Sequence, residues 1–296
     1  MHRRSGRRLS AALVALTCLG APAWAQEARL IGALTLRVDH PQWGGLSGVE
    51  MAGDGASLVA VSDRGILFRA TVTRDESGQI TGLTLRTTDE LTGRDGQRGP
   101  WAARDSEGLA MRADGTLFIS FEGDHRVARY IGGGASEPLP PHPDFAGLQE
   151  NASLEALAVD AEGTLYALPE RSGETTRPFP VFRYRNGAWD RDLSLPREGD
   201  FLAVGADFDD RGRFYLLERD FSLFFGFATR IRRFEITESG LGRGEVLLQT
   251  RAGQHSNLEG LSLWRDAAGR LVASMVSDDN FSPLLPTQVV EYYLAE

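Results

Sequence analysis

Residues 105–120 read DSEGLAMRADGTLFIS, and the same design returns at 153–168 as SLEALAVDAEGTLYAL and at 257–273 as NLEGLSLWRDAAGRLVA. Each copy has an acidic start, a short apolar run, a turn at Gly115, Gly163 or Gly269, and a second apolar run. Weaker copies begin at Leu46-Ser47-Gly48-Val49 and Ala203-Val204-Gly205-Ala206, with turns at Gly55 and Gly212. The small residues at 48, 108, 156, 205 and 260 are spaced by 60, 48, 49 and 55 positions, a period that suits a four-stranded propeller blade.

The remainder of each unit also alternates with period two: 66–73 and 80–87, 181–184 and 189–195, 230–236 and 245–250. The second unit ends in Pro138-Leu139-Pro140-Pro141, tolerable only in an outermost strand whose missing donors face solvent. After 288–294 the last unit has made three strands, and a spare strand, 30–38, precedes the first unit. Pairing the two closes the ring and removes an unpaired edge. The expectation is an all-β protein, a single β-propeller of about five four-stranded blades; six is the alternative if the long first unit divides.

Upstream, Arg3, Arg4, Arg7 and Arg8 precede an apolar stretch from Leu9 to Gly20 and the small-x-small triplet Ala23-Trp24-Ala25. This reads as a signal peptide, 1–25, cut between Ala25 and Gln26, and predicts a periplasmic or secreted product with no integral membrane segment. The cut removes four arginines and no acid, taking the net charge from -9 to -13. That surface argues against nucleic acid as a partner. Every fixed cation is Arg, for the chain has no Lys. The single Cys, Cys18, lies in the leader, so the mature domain, 26–296, has no disulfide and no thiol nucleophile.

In a blade, the start of the first strand and the end of the second share one mouth of the channel. The starts deliver Asp105 and Glu107, Asn151 and Glu155, and Asn257 and Glu259. The ends deliver Asp63-Arg64, Glu122, Glu170-Arg171, Glu218-Arg219-Asp220 and Asp278-Asp279-Asn280. Two carboxylates about 6 Å apart at an effective dielectric of roughly 20 repel by about 3 kcal/mol, so the ring calls for cations or proton uptake. The candidate metal donors are Asp63, Glu107, Glu122, Glu155, Glu170, Glu218, Glu259, Asp278, Asp279 and Asn280. Carboxylates and Asn without a Cys or His cluster suit Ca²⁺ better than Zn²⁺. Arg64, Arg171 and Arg219 are candidates to bind an anionic substrate. Against this stands a structural reading: Asp and Asn form turns, and Glu-Arg pairs are often solvated salt bridges.

His255, beside the start of the last unit, is a candidate general base, and Glu107, Glu155 and Glu259 are the candidate catalytic carboxylates. The sequence has no Gly-x-Ser-x-Gly elbow, and Gly132-Gly133-Gly134 is a hairpin tip rather than a phosphate loop. The apolar stretch from Asp220 to Phe227 is expected to cap the mouth, bind an apolar ligand or a partner, or pack between blades.

Asp105-Ser106-Glu107-Gly108-Leu109, Glu218-Arg219-Asp220-Phe221, Asn257-Leu258-Glu259-Gly260-Leu261 and Ser277-Asp278-Asp279-Asn280-Phe281 resemble the phytase-like, or "esterase-like activity of phytase", propellers of bacteria. The resemblance covers essentially the whole mature chain and implies hydrolysis of phosphate esters or other small anionic esters, often with Ca²⁺. On that reading Glu107, Glu155, Glu259 and Asp278 or Asp279 hold the metal, and Arg171 and Arg219 steer the substrate. Lactone hydrolysis is a variant. The alternative is a non-catalytic propeller of the cell envelope that holds a ligand or protein at the same mouth or through the Phe-rich loop.

Overall fold

The computed structural model describes residues 28–100, 103–237 and 240–296; the signal peptide expected at 1–25 lies outside them. Strand β1 (Ala28–Thr35) comes first. Blade 1 is β2 (Leu46–Met51), β3 (Ser57–Ser62), β4 (Ile66–Arg74) and β5 (Ile80–Glu90). Blade 2 is β6 (Ser106–Met111), β7 (Leu117–Phe121), β8 (Arg126–Gly132) and β9 (Ala135–Pro138). Blade 3 is β10 (Leu154–Val159), β11 (Leu165–Pro169), β12 (Phe179–Arg185) and β13 (Ala188–Leu195). Blade 4 is β14 (Leu202–Phe208), β15 (Phe214–Ser222) and β16 (Gly226–Phe234), then a ribbon of β17 (Ile236–Thr237) and β18 (Gly240–Leu241), then β19 (Glu245–Gln249). Blade 5 is β20 (Asn257–Arg265), β21 (Leu271–Asp278) and β22 (Gln288–Leu294).

The ring has five blades, each an antiparallel four-stranded sheet, and β1 is the fourth strand of blade 5. It pairs with β22 from Ala28 opposite Leu294 to Thr35 opposite Gln288, which closes the ring. The long first unit does not divide. Its extra length goes into β4 and β5, of 9 and 11 residues, and into the connection after them. Pro138 ends β9, the outermost strand of blade 2, where a missing donor leaves no ladder bond unmade.

The alternation within each strand explains the core. Apolar residues on facing sheets form five clusters, one between each pair of neighbouring blades. Ile66 and Phe68 of blade 1 meet Val272 and Val276 of blade 5, for example, and Tyr166 of blade 3 packs near Phe214 of blade 4. Around the axis the innermost strands touch in the order β2, β6, β10, β14, β20 and back to β2. The small residues that set the repeat stand at those contacts. A Cβ on Gly205 would lie 2.3 Å from the Glu259 carbonyl oxygen, and one on Gly108 would lie 2.6 Å from that of Glu155. Among the described residues, no helix is long and apolar enough to cross a membrane.

Candidate functional site

Each innermost strand carries a β-bulge at the same mouth, just before its small residue: at Leu46/Gly48, Ser106/Leu109, Leu154/Ala156, Ala203/Gly205 and Leu258/Gly260. The residues thrown out of the ladder are Ser47, Glu107 together with Gly108, Glu155, Val204 and Glu259. A bulge frees and re-aims a side chain, and here it turns three glutamates toward the axis. All three are buried.

The register also decides which strand end faces the ring. Asp63 pairs with Gly45, Glu122 with Asp105, Glu170 with Ser153, Arg219 with Leu202 and Asp278 with Asn257. Those five are equivalent, and their charges interact around the circle: Asp63 with Asp105 and Asp278, Glu122 with Glu170, and Arg219 with Glu170 and Asp278. Side chains alternate along a strand, so the residue one step away faces elsewhere. Four candidates from sequence fall on that other face.

Glu218 is fully buried against Arg230 and Arg232, whose Nε atoms each donate to Oε2 at 2.7 Å while Nη2 of Arg232 donates to Oε1 at 2.7 Å. Asp279 accepts from the Gly45 and Phe281 amides, each at 2.9 Å, and from the Thr287 hydroxyl at 2.6 Å; it pins the loop rather than facing the axis. Arg64 is exposed, stacked 3.1 Å over Phe281, and Arg171 reaches the rim while its Nε donates to Glu170 at 3.0 Å. Asn280 is exposed in the left-handed turn after β21. His255 turns to the Tyr292 hydroxyl, 2.7 Å away, and its burial lowers its pKa. It meets no ring carboxylate through the hydrogen bonds it makes.

The ring is lopsided. Arg219 serves one side: Nη1 donates to Glu259 and to Asn257 Oδ1 (2.9 Å), and Nη2 donates to Glu170 at 2.5 Å. Burial alone lowers its pKa, but Glu259, Glu155 and Glu170 outweigh that and hold it above its usual value. On the blade 1 and 2 side no ring position carries a cation. There Asp105, Glu107 and Glu122 bring carboxylate oxygens within 4.8 Å of one another. All three are buried, and the Ser153 amide holds Glu122 Oε1 at 3.2 Å. Asp105 stands at the position that Asn257 takes in blade 5, at the start of its strand and beside Glu107.

The acids respond by holding protons. Burial, with Asp278 and Asp105 nearby, pushes Asp63 up to about 7. Burial and Glu122 push Asp105 up to about 7, and burial lifts Glu259 to about 8 against the pull of Arg219. Glu107 and Glu155 rise well above the carboxylate range, first through burial and then through their acidic neighbours. Glu122 and Asp278 rise for the same first reason. Three hard oxygen donors without sulfur or imidazole fit a hard divalent cation, and Asp105, Glu107 and Glu122 can hold a metal ion.

A family profile of phytase-like proteins, described as esterase-like activity of phytase, matches residues 41–281. The chain belongs to the phytase-like family. No curated protein matches the sequence. The phytase-like chain is similar in structure to the PQQ-bound form of an aldose sugar dehydrogenase from Streptomyces coelicolor, at 13% identity over 91% of this chain and 99% of that one, with a TM-score of 0.50. It is also similar to an exo-β-1,3-galactanase from Clostridium thermocellum, at 12% identity over 88% of this chain and 62% of that one, with a TM-score of 0.52. At such identities the phytase-like propeller shares their fold alone.

The Phe-rich segment is the tip of the β15–β16 hairpin, paired as far as Ser222 opposite Gly226. It does not pack between blades: Leu223, Phe224 and Phe225 are 82%, 88% and 70% exposed. At the other mouth, the buried Glu50 and the half-buried Asp207 tie inner strands together. Glu50 accepts from the Met111 amide at 2.9 Å and from the Ser262 hydroxyl at 3.3 Å, and Asp207 accepts from the Leu263 amide at 2.6 Å.

Proposed function

We propose that this phytase-like propeller is an exported, metal-dependent hydrolase of phosphate esters or other small anionic esters. The observation that carries the reading is the buried cluster of Asp105, Glu107 and Glu122 at the axis. Those residues would hold the metal, and their all-oxygen donor set favours Ca²⁺. A bound divalent ion supplies Lewis acidity and a more acidic water. Asp63 sits beside the cluster with an Oδ1 that has no hydrogen-bond partner and a pKa near neutrality, which suits a group that takes up and gives back a proton. Arg64 and Arg171, both at the same mouth, offer donors to an anionic group arriving from solvent. Glu155 and Glu259 line the axis beside the cluster and set its field.

Thermal unfolding and elemental analysis of the mature chain test this, with EDTA and then with Ca²⁺ restored, followed by a screen of phosphate and carboxylate esters. A stoichiometric metal, a raised midpoint and turnover lost in Glu107→Gln support the hydrolase. No metal, no shift and no turnover overturn it. One observation favours a second reading, a binding propeller: the exposed Leu223-Phe224-Phe225 tip at the same mouth. Export is tested by N-terminal sequencing of the released protein, which should begin at Gln26.

A further inference from the structure

Blade 4 breaks the pattern of blades 1 and 3 by one residue. In blades 1 and 3 an acid faces the ring and an Arg follows it outward: Asp63-Arg64 and Glu170-Arg171. Blade 4 has the same acid-Arg pair, Glu218-Arg219, but its register places Arg219 at the ring and Glu218 behind it. A one-residue offset exchanges the faces of a strand. The displaced Glu218 is met by two buried cations, Arg230 and Arg232. Blade 4 also has Val204, not an acid, at its bulge. Blade 4 thus carries a positive charge inward at its ring position.

That charge sits among oxygens that would otherwise bind a metal: the carboxylates of Glu170 and Glu259 and the amide oxygen of Asn257, with Glu155 close enough to act on it electrostatically. Carboxylate and amide oxygens are Ca²⁺ donors. We infer that Arg219 is a resident cation in the seat of a second divalent ion, so that the ring admits a single metal, on the blade 1 and 2 side. The inference rests on the metal reading of the ring given above. It makes the centre mononuclear and leaves any second charge on the substrate side to be met by protein rather than by metal.

The test is equilibrium dialysis of the EDTA-treated mature chain against Ca²⁺, with elemental analysis, for wild type, Arg219→Met and Arg219→Lys. Bound Ca²⁺ per chain should rise about twofold in Arg219→Met, because the vacated oxygens form a further site, and stay at the wild-type level in Arg219→Lys. No gain in Arg219→Met overturns the inference, as does a wild type that already binds a second ion. If wild type binds none and Arg219→Met binds one, the Asp105 cluster is not a metal site but the role of Arg219 stands. Arg219→Met is prepared in millimolar Ca²⁺. If it cannot fold there while Arg219→Lys folds, a divalent ion does not replace the guanidinium, and the inference fails.

Discussion

Replacing Glu218 by Gln separates a structural acid from a metal ligand. Its carboxylate is wholly buried and accepts three hydrogen bonds at 2.7 Å from Arg230 and Arg232, whose side chains are 7% and 0% exposed. Gln keeps the shape but offers a single acceptor oxygen, and its amide hydrogens face guanidinium donors. Two buried cations then lose their counter-charge. Arg232 retains the carboxylate of Glu198, 3.8 Å away, the Pro196 carbonyl and the face of the Phe234 ring. Breaking a buried pair from one side costs about 3–5 kcal/mol, and Glu198 places this case toward the lower end. For a chain of this size that lowers the thermal midpoint by roughly 5 °C. Glu245→Gln is the control. It removes a pair to Arg233 whose carboxylate is 51% exposed, and should cost less than about 1 kcal/mol. Thermal and urea unfolding measure both, and elemental analysis is run beside them. The reasoning is refuted if Glu218→Gln loses bound metal while its midpoint stays with the control, for Glu218 would then face the ring.

The ring should make the metal-free protein sensitive to alkali. Asp63 and Asp105 near 7 and Glu259 near 8 keep protons that the unfolded chain, with ordinary carboxyl pKa values near 4, has already released. The folded state therefore binds more protons, and stability in EDTA should fall as pH rises through 7 to 8, flattening with Ca²⁺; stability that climbs from pH 6 to 8.5 contradicts this. Adding Ca²⁺ at pH 7 should also release protons, measurable by pH-stat. At the far mouth, burial and the neighbouring Asp207 hold Glu50 well above its usual pKa, so Glu50→Gln should stabilise the fold at pH 8 and change little at pH 5, as followed by urea midpoints. Gly205→Ala places a methyl group 2.3 Å from the Glu259 carbonyl oxygen, and should lower the urea midpoint by an amount equal to about 2–3 kcal/mol with the slope unchanged.

The blade count, the closing strand and the mouth that gathers the acids could all be read in the chain. They depend on signals that repeat: Gly turns, period-two runs and small residues at a regular spacing. The turn glycines Gly55, Gly115, Gly163, Gly212 and Gly269 all adopt left-handed φ between 67° and 85°, so the local chemistry of the turn marks each inner hairpin. Glu107, Glu155 and Glu259 were legible for the same reason, since each immediately precedes a small axial residue.

What the chain alone left undecided was phase. Asp278 and Asp279, or Glu218 and Arg219, are adjacent letters, and nothing local says which of each pair looks inward. That is settled by the pairing of each second strand with the first across a bulge, and a shift of one residue turns a metal ligand into an internal counter-ion. His255 illustrates the same limit, because its partner Tyr292 lies on a strand 37 residues away and only the folded blade brings them together. The sequence by itself determined the propeller, through contacts that are local and repeated. The tertiary structure alone decided the membership and the asymmetry of the ring, because register is a property of paired strands and not of any one of them.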